Sequence, residues 1–141
     1  MNADYVLGVD YGSQRVGLAL AHRIAQLPRP HVTLVSDASL LTHIADTVVQ
    51  EHVGLVVVGV PRNMDGTTSE QSAACEAFAR ELKRCVAVPV QTVDETLSSV
   101  EAESRLKTQR RGYEKGDVDA LAASIMLERY FMEQPSMGQS A

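Results

Sequence analysis

Asp10, Asp94, Glu95, Asp117 and Asp119 are the residues whose type and spacing could do chemistry. Asp10 closes an apolar segment, Tyr5-Val-Leu-Gly-Val-Asp10. A strand of that composition buries its side chains, and an unpaired buried carboxylate is costly. Such an acid is tolerated chiefly when it is protonated, ion-paired or bound to a metal. Asp94-Glu95 ends a later strand-like segment, and Asp117 and Asp119 open a helical one. Oxygen ligands converging from three distant segments are what a hard divalent cation needs. Two such ions about 4 Å apart can clamp an attacking water and a leaving oxygen in phosphodiester hydrolysis.

Each acid also has a structural use. Asp10 could bond to a nearby backbone group or serine. Neighbours in a strand point to opposite faces, so only one of Asp94 and Glu95 can join Asp10. Periodicity alone does not say which. Asp117 suits an N-cap, and the helix dipole favours acids in a first turn. For Asp119 the helix-start and ligand readings stand level.

The basic residues are grouped. Arg105, Lys107, Arg110, Arg111 and Lys115 fall within eleven positions that hold one acid, Glu114. A solvated loop is the ordinary reading of such a run. Next to a metal site it could instead hold a polyanion's backbone, because phosphate contacts position a strand without reading its sequence. Tyr113 could stack on an unpaired base. Arg15 and Arg62 lie in loops that follow strands and could reach the same substrate.

The elements that must position these groups follow from apolar periodicity. Residues 5–10 and 16–21 read as a hairpin, with Gly12 and Gly17 permitting the turn and a close backbone approach. Residues 31–36 alternate as a third strand. Asp37 can cap a helix over 38–51, with Leu40, Leu41, Ile44, Val48 and Val49 on one face. Leu55 to Val60 is short, β-branched and continuously apolar, the pattern of a strand covered on both faces. A loop follows through Asp65-Gly66, then a helix over 69–84 with Thr67 and Glu70 spaced as a capping box. Val86 to Val93 is a strand in which Pro89 marks an edge or a start. Ser98 and Glu101 open a helix to Lys107, Thr108 to Gly116 is a loop, and a last helix runs over 117–132, burying Val118, Leu121, Ala122, Ile125 and Met126. Three strands and then alternating helices and strands imply an α/β protein with a mixed five-stranded sheet and helices on both faces. This is the order of the RNase H-like fold. One domain over residues 4–133 and a frayed tail over 134–141 complete the reading.

Composition bounds the function. The 141 residues suffice for one domain with a real core. At 45% hydrophobic and 22% charged the chain is globular rather than disordered. A net charge of −5 argues against a sequence-blind nucleic-acid coat protein, which would be basic, yet it suits an acidic metal site. Cys75 and Cys85 do not make a disulfide framework, and with His22, His31, His43 and His52 they form no zinc pattern. No segment reads as a membrane span or a secretory leader, so a cytoplasmic protein is expected.

Four ordered motifs carry a family resemblance. They are Val9-Asp10-Tyr11-Gly12-Ser-Gln-Arg15-Val-Gly17-Leu-Ala19; Val58-Gly59-Val-Pro61-Arg62-Asn63-Met64-Asp65-Gly66; Asp94-Glu95-Thr96-Leu97-Ser98; and Val118-Asp119-Ala-Leu-Ala122-Ala123. Together they resemble the YqgF/RuvX family, Holliday-junction-resolvase-like proteins also described as pre-16S rRNA nucleases. The resemblance runs from about Tyr5 to Phe131. It implies an RNase H-like fold, dependence on Mg²⁺ or Mn²⁺ in a two-ion site, and a nucleic-acid substrate, RNA or branched or single-stranded DNA. The family's three acids map onto Asp10, Glu95 and Asp119. Arg15, Arg62, Asn63, Lys107, Arg110, Arg111 and Lys115 are the expected nucleic-acid contacts. The chain departs from the family pattern at Arg62, where a leucine-like residue is usual, and at Thr96, where an arginine is usual.

The expected activity is therefore metal-dependent phosphodiester hydrolysis in processing the 5′ end of pre-16S rRNA. A Holliday junction resolvase or other DNA nuclease is the alternative, and a non-catalytic assembly factor on the same fold is another. The first could act as a monomer, whereas a junction resolvase would be a two-fold dimer. An actin-like phosphotransferase also starts with Asp-x-Gly, but it needs two such domains around its nucleotide.

Overall fold

The computed structural model describes residues 4–61, 69–95 and 115–133, with the side chains of 95 and 115–117 outside the description. The elements run β1 (Tyr5–Tyr11), β2 (Arg15–His22), β3 (Arg29–Val35), α1 (Leu40–Gln50), β4 (Val53–Pro61), α2 (Glu70–Cys85), β5 (Val90–Glu95) and α3 (Lys115–Glu133). The expected helix over 98–107, the Thr67 cap and the tail lie outside the described residues.

The five strands form one mixed sheet in the order β3-β2-β1-β4-β5. β1 pairs antiparallel with β2 and parallel with β4, which places the apolar β4 between two parallel neighbours. Its near-continuous burial follows, because helices cover both faces of a parallel pair. Leu7, Val9, Val56 and Val58 pack with Ile44 of α1 and with Phe78 and Leu82 of α2. The alternate residues Val6, Ala19, Leu55 and Val57 pack with Met126, Leu127 and Tyr130 of α3. The sheet thus divides two cores, α1 and α2 beneath one face and α3 on the other.

Several local expectations need correction. Among the described residues the box that starts α2 is Ser69 with Ser72. Ser69 accepts from the Ser72 amide, and the Ser72 hydroxyl accepts from the Ser69 amide. Asp37 does not cap α1 directly. Its carboxylate accepts from the amide and hydroxyl of Ser39, which is the N-cap. The apolar stripe of α1 ends at Val48, and Val49 is exposed because it falls about 100° round the helix from its neighbour. The expected strand over 86–93 starts only at Val90. Pro89 stands just before it, its carbonyl accepting from Val56, and β5 is the last strand in the sheet order. The last helix begins two residues early, so Lys115 and Gly116 are helical and Asp117 stands in the first turn rather than at the cap.

Candidate active site at the carboxyl ends of the strands

β1, β4 and β5 are parallel, so their last residues share one edge of the sheet. Asp10 is the penultimate residue of β1 and is half-buried. Strand alternation puts position 10 on the same face as Val6, the face that α3 covers. Across the hairpin Asp10 is paired with Gly17. Opposed residues of an antiparallel pair stand about 5 Å apart at Cα.

Gly17 is where the backbone of α3 comes onto the sheet beside Asp10. A β-carbon built on it would lie 2.0 Å from the backbone oxygen of Asp119. Any side chain there would push the helix away. The absence of one brings the second turn of α3 onto the strand beside Asp10. Asp119 is thereby delivered to the residue pair that carries the first acid.

The face of the third expected acid follows from register. Val57 is paired with Gln91, Gly59 with Val93, and Pro61 with Glu95. Val57 belongs to the core under α3, and Gln91 accepts a 3.1 Å hydrogen bond from the Tyr130 hydroxyl of that helix. Position 95 has the same parity and so belongs to the α3 face, whereas Asp94, paired with Val60, belongs to the other. The pairing of β5 with β4 thus assigns positions 94 and 95 to opposite faces and position 95 to the α3 face.

Arg15, the first residue of β2, meets the same edge. Its Nε donates to Asp119 Oδ2 at 2.6 Å. This arginine, expected to contact a nucleic acid, is held by one of the expected ligands. Arg62, Asn63, Lys107, Arg110 and Arg111 lie outside the described residues. Lys115 is the first residue of α3, at the end of the helix nearest this edge.

Residues that sequence reading missed hold the edge from beneath. Beyond Val9, β1 has no paired residue in β4. The free carbonyl of Tyr11 accepts instead from Gln71 Nε2 at 3.2 Å, with the Cys75 thiol 3.8 Å away. The Ser72 hydroxyl donates to the carbonyl of Pro61 at the end of β4. Tyr11 stacks on Phe78, with ring centroids 4.3 Å apart. The first two turns of α2 therefore grip two of the three strand ends. The serine pair at its start is the signal that could have located this grip.

The donor set suits a hard cation. Its members are carboxylates only, with no histidine or thiol among them, which favours magnesium or manganese over zinc. Asp10 and Asp119 are described with their side chains. Glu95 is described through its backbone, and among the described residues no three His, Cys, Asp or Glu side chains converge. No helix among the described residues is long and apolar enough to cross a membrane.

Comparison with known proteins gives the same direction. A relative in Anaeromyxobacter sp. (strain Fw109-5) is 44% identical, the alignment covering 86% of this chain and 92% of that one. Another in Azotobacter vinelandii is 38% identical, covering 93% and 95%. Both are named provisionally as pre-16S rRNA nucleases. Among solved structures, T. thermophilus RuvC in complex with a Holliday junction substrate matches with a TM-score of 0.55 at 14% identity, over 94% of this chain and 96% of that one. The fowlpox virus resolvase in complex with Holliday junction DNA matches with a TM-score of 0.51 at 11% identity, over 93% and 98%. At these identities the two structures establish the fold, which is RNase H-like. The model of the RuvX family, described as Holliday junction resolvase, matches residues 4–133, and the chain belongs to that family.

Proposed function

We propose that this protein is a metal-dependent nuclease that hydrolyses phosphodiester bonds in RNA, with the precursor of 16S rRNA as its substrate. The observation that carries the reading is the close approach of the Asp119 backbone to Gly17, the strand partner of Asp10, on the sheet face to which position 95 also belongs. The names of the relatives in Anaeromyxobacter and Azotobacter support the substrate.

Asp10, Glu95 and Asp119 would hold Mg²⁺ or Mn²⁺ through carboxylate oxygens. When bound, such ions supply Lewis-acid stabilisation of the charge that builds on phosphate oxygens during hydrolysis. The chain's own part is placement. Asp10 is fixed by its strand pairing and Asp119 by the contact over Gly17. Arg62, Asn63, Lys107, Arg110, Arg111 and Lys115 would hold the phosphate backbone and set its path across the edge. Such contacts orient a strand without reading it, so selectivity for one RNA must come from the shape of the substrate.

The family description favours a second reading, cleavage of a four-way DNA junction. One experiment separates the two. Single-stranded RNA, single-stranded DNA and a four-way DNA junction are each incubated with Mn²⁺, Mg²⁺ or EDTA, using wild type and Asp10→Asn. The expected result is cleavage of RNA with either metal, none in EDTA and none by Asp10→Asn. Cleavage confined to the junction moves the assignment to a resolvase. Binding without cleavage on all three overturns the nuclease reading in favour of an assembly factor.

A further inference from the structure

The candidate site contains a cation of its own. The Arg15 guanidinium lies 2.6 Å from Asp119 Oδ2, joining residues 104 positions apart. A guanidinium donating to a carboxylate is a charge-assisted contact. Among the described residues it is the one hydrogen bond that either side chain makes.

We propose that Arg15 is an internal competitor for the metal, a counter-ion that a divalent cation must displace from Asp119. This rests on the reading of Asp119 as a ligand. Carboxylates gathered at one sheet edge repel one another when no metal is bound, and a guanidinium relieves that repulsion. A dication and a guanidinium crowded onto one carboxylate repel in turn. Asp119 therefore serves the one or the other at full strength.

Release needs no backbone movement. Arg15 is paired with Val35 of β3. Its carbonyl packs onto Gly12, where a β-carbon would come within 2.6 Å of the oxygen. The guanidinium is carried on a flexible stem, and the side chain is 40% exposed. Rotation about the side-chain bonds is thus enough to free Asp119, and water receives the displaced charge.

The test titrates Mn²⁺ into the full chain without nucleic acid, following the free-ion signal by electron paramagnetic resonance. Wild type, Arg15→Gln, Arg15→Lys and Asp119→Asn are compared. Arg15→Gln is expected to bind Mn²⁺ about three- to tenfold more tightly, the scale of one partly exposed charge-assisted contact. Arg15→Lys, which keeps the charge, should stay near wild type. Asp119→Asn should lose most of the affinity. In EDTA the Tm of Arg15→Gln should lie below that of wild type, and saturating Mn²⁺ should close the gap. If Arg15→Gln binds Mn²⁺ equally or more weakly while Asp119→Asn fails to bind, competition is wrong and the ligand reading survives. If Asp119→Asn binds like wild type, the ligand reading itself falls, and the proposal with it.

Discussion

The backbone of Asp119 lies directly over Gly17, with 2.0 Å between its carbonyl oxygen and the place where a β-carbon would be. That approach sets the depth at which α3 sits on the sheet, and so the position of an acid on the helix relative to Asp10 on the strand. Gly17→Ala must lift the helix or bend the strand. Overpacking of this kind costs about 1–3 kcal/mol. Urea unfolding should show a loss of that size. Mn²⁺ binding should weaken further than stability alone explains, because Asp119 moves with the helix. A Gly17→Ala protein as stable as wild type would show that the close approach is not required.

The ease with which the sequence yields the elements, and the difficulty of yielding the site, have one cause. The hairpin, the doubly covered β4 and the Pro89 boundary are local patterns, set by residues a few positions apart. Asp10 stands out because a carboxylate interrupts an apolar run. The face of position 95 depends on how β5 is registered against β4, a pairing that strand period cannot supply. The Arg15–Asp119 contact depends on a helix more than a hundred residues away reaching the first residue of β2. The caps fail for a smaller reason. Asp37 stands two residues before the N-cap of α1 and its carboxylate is taken up by Ser39, which makes no side-chain cap bond of its own, whereas at α2 the chain path brings the Ser69 hydroxyl to a free amide.

Ser72 is fully buried, and its hydroxyl is shared between the start of α2 and the carbonyl of Pro61. Ser72→Ala removes the donor and leaves that carbonyl without this partner. The loss of this partly buried hydrogen bond should cost about 1 kcal/mol. Because Pro61 is paired with Glu95 at the candidate edge, the substitution should also lower Mn²⁺ affinity. Gln71→Ala, which releases the Tyr11 carbonyl on the exposed side of the helix, should cost less stability. Chemical denaturation and Mn²⁺ titration of the two variants check the ranking.

Asp37 gives an acid-side prediction. Hydrogen bonds from the hydroxyl and then the amide of Ser39 hold its carboxyl below the usual aspartate range. A depressed pKa means that the charged form favours the fold. That contribution is complete above the ordinary aspartate value and disappears as pH falls through the lowered one. Asp37→Asn keeps an acceptor but removes the charge. Amide exchange in the first turn of α1 should therefore be faster in the variant at neutral pH. The two proteins should converge as the solution is acidified below the wild-type transition.

Tyr130 provides the alkaline counterpart. Its ring is buried against the sheet, and burial raises its pKa above the usual phenol value. Its hydroxyl donates to Gln91 Oε1 at 3.1 Å, tying α3 to β5. Tyr130→Phe keeps the packing and loses the bond, at a cost of about 1 kcal/mol near neutrality. The sign then reverses with pH. A raised folded-state pKa stabilises below the unfolded value, about 10 for tyrosine, and that contribution is lost as pH rises through the folded one. Wild type should therefore lose stability between neutral and strongly alkaline pH faster than Tyr130→Phe. The gap between their urea midpoints should narrow above about pH 10. A gap that stays constant through the alkaline range would mean that Tyr130 ionises as freely in the fold as in the unfolded chain.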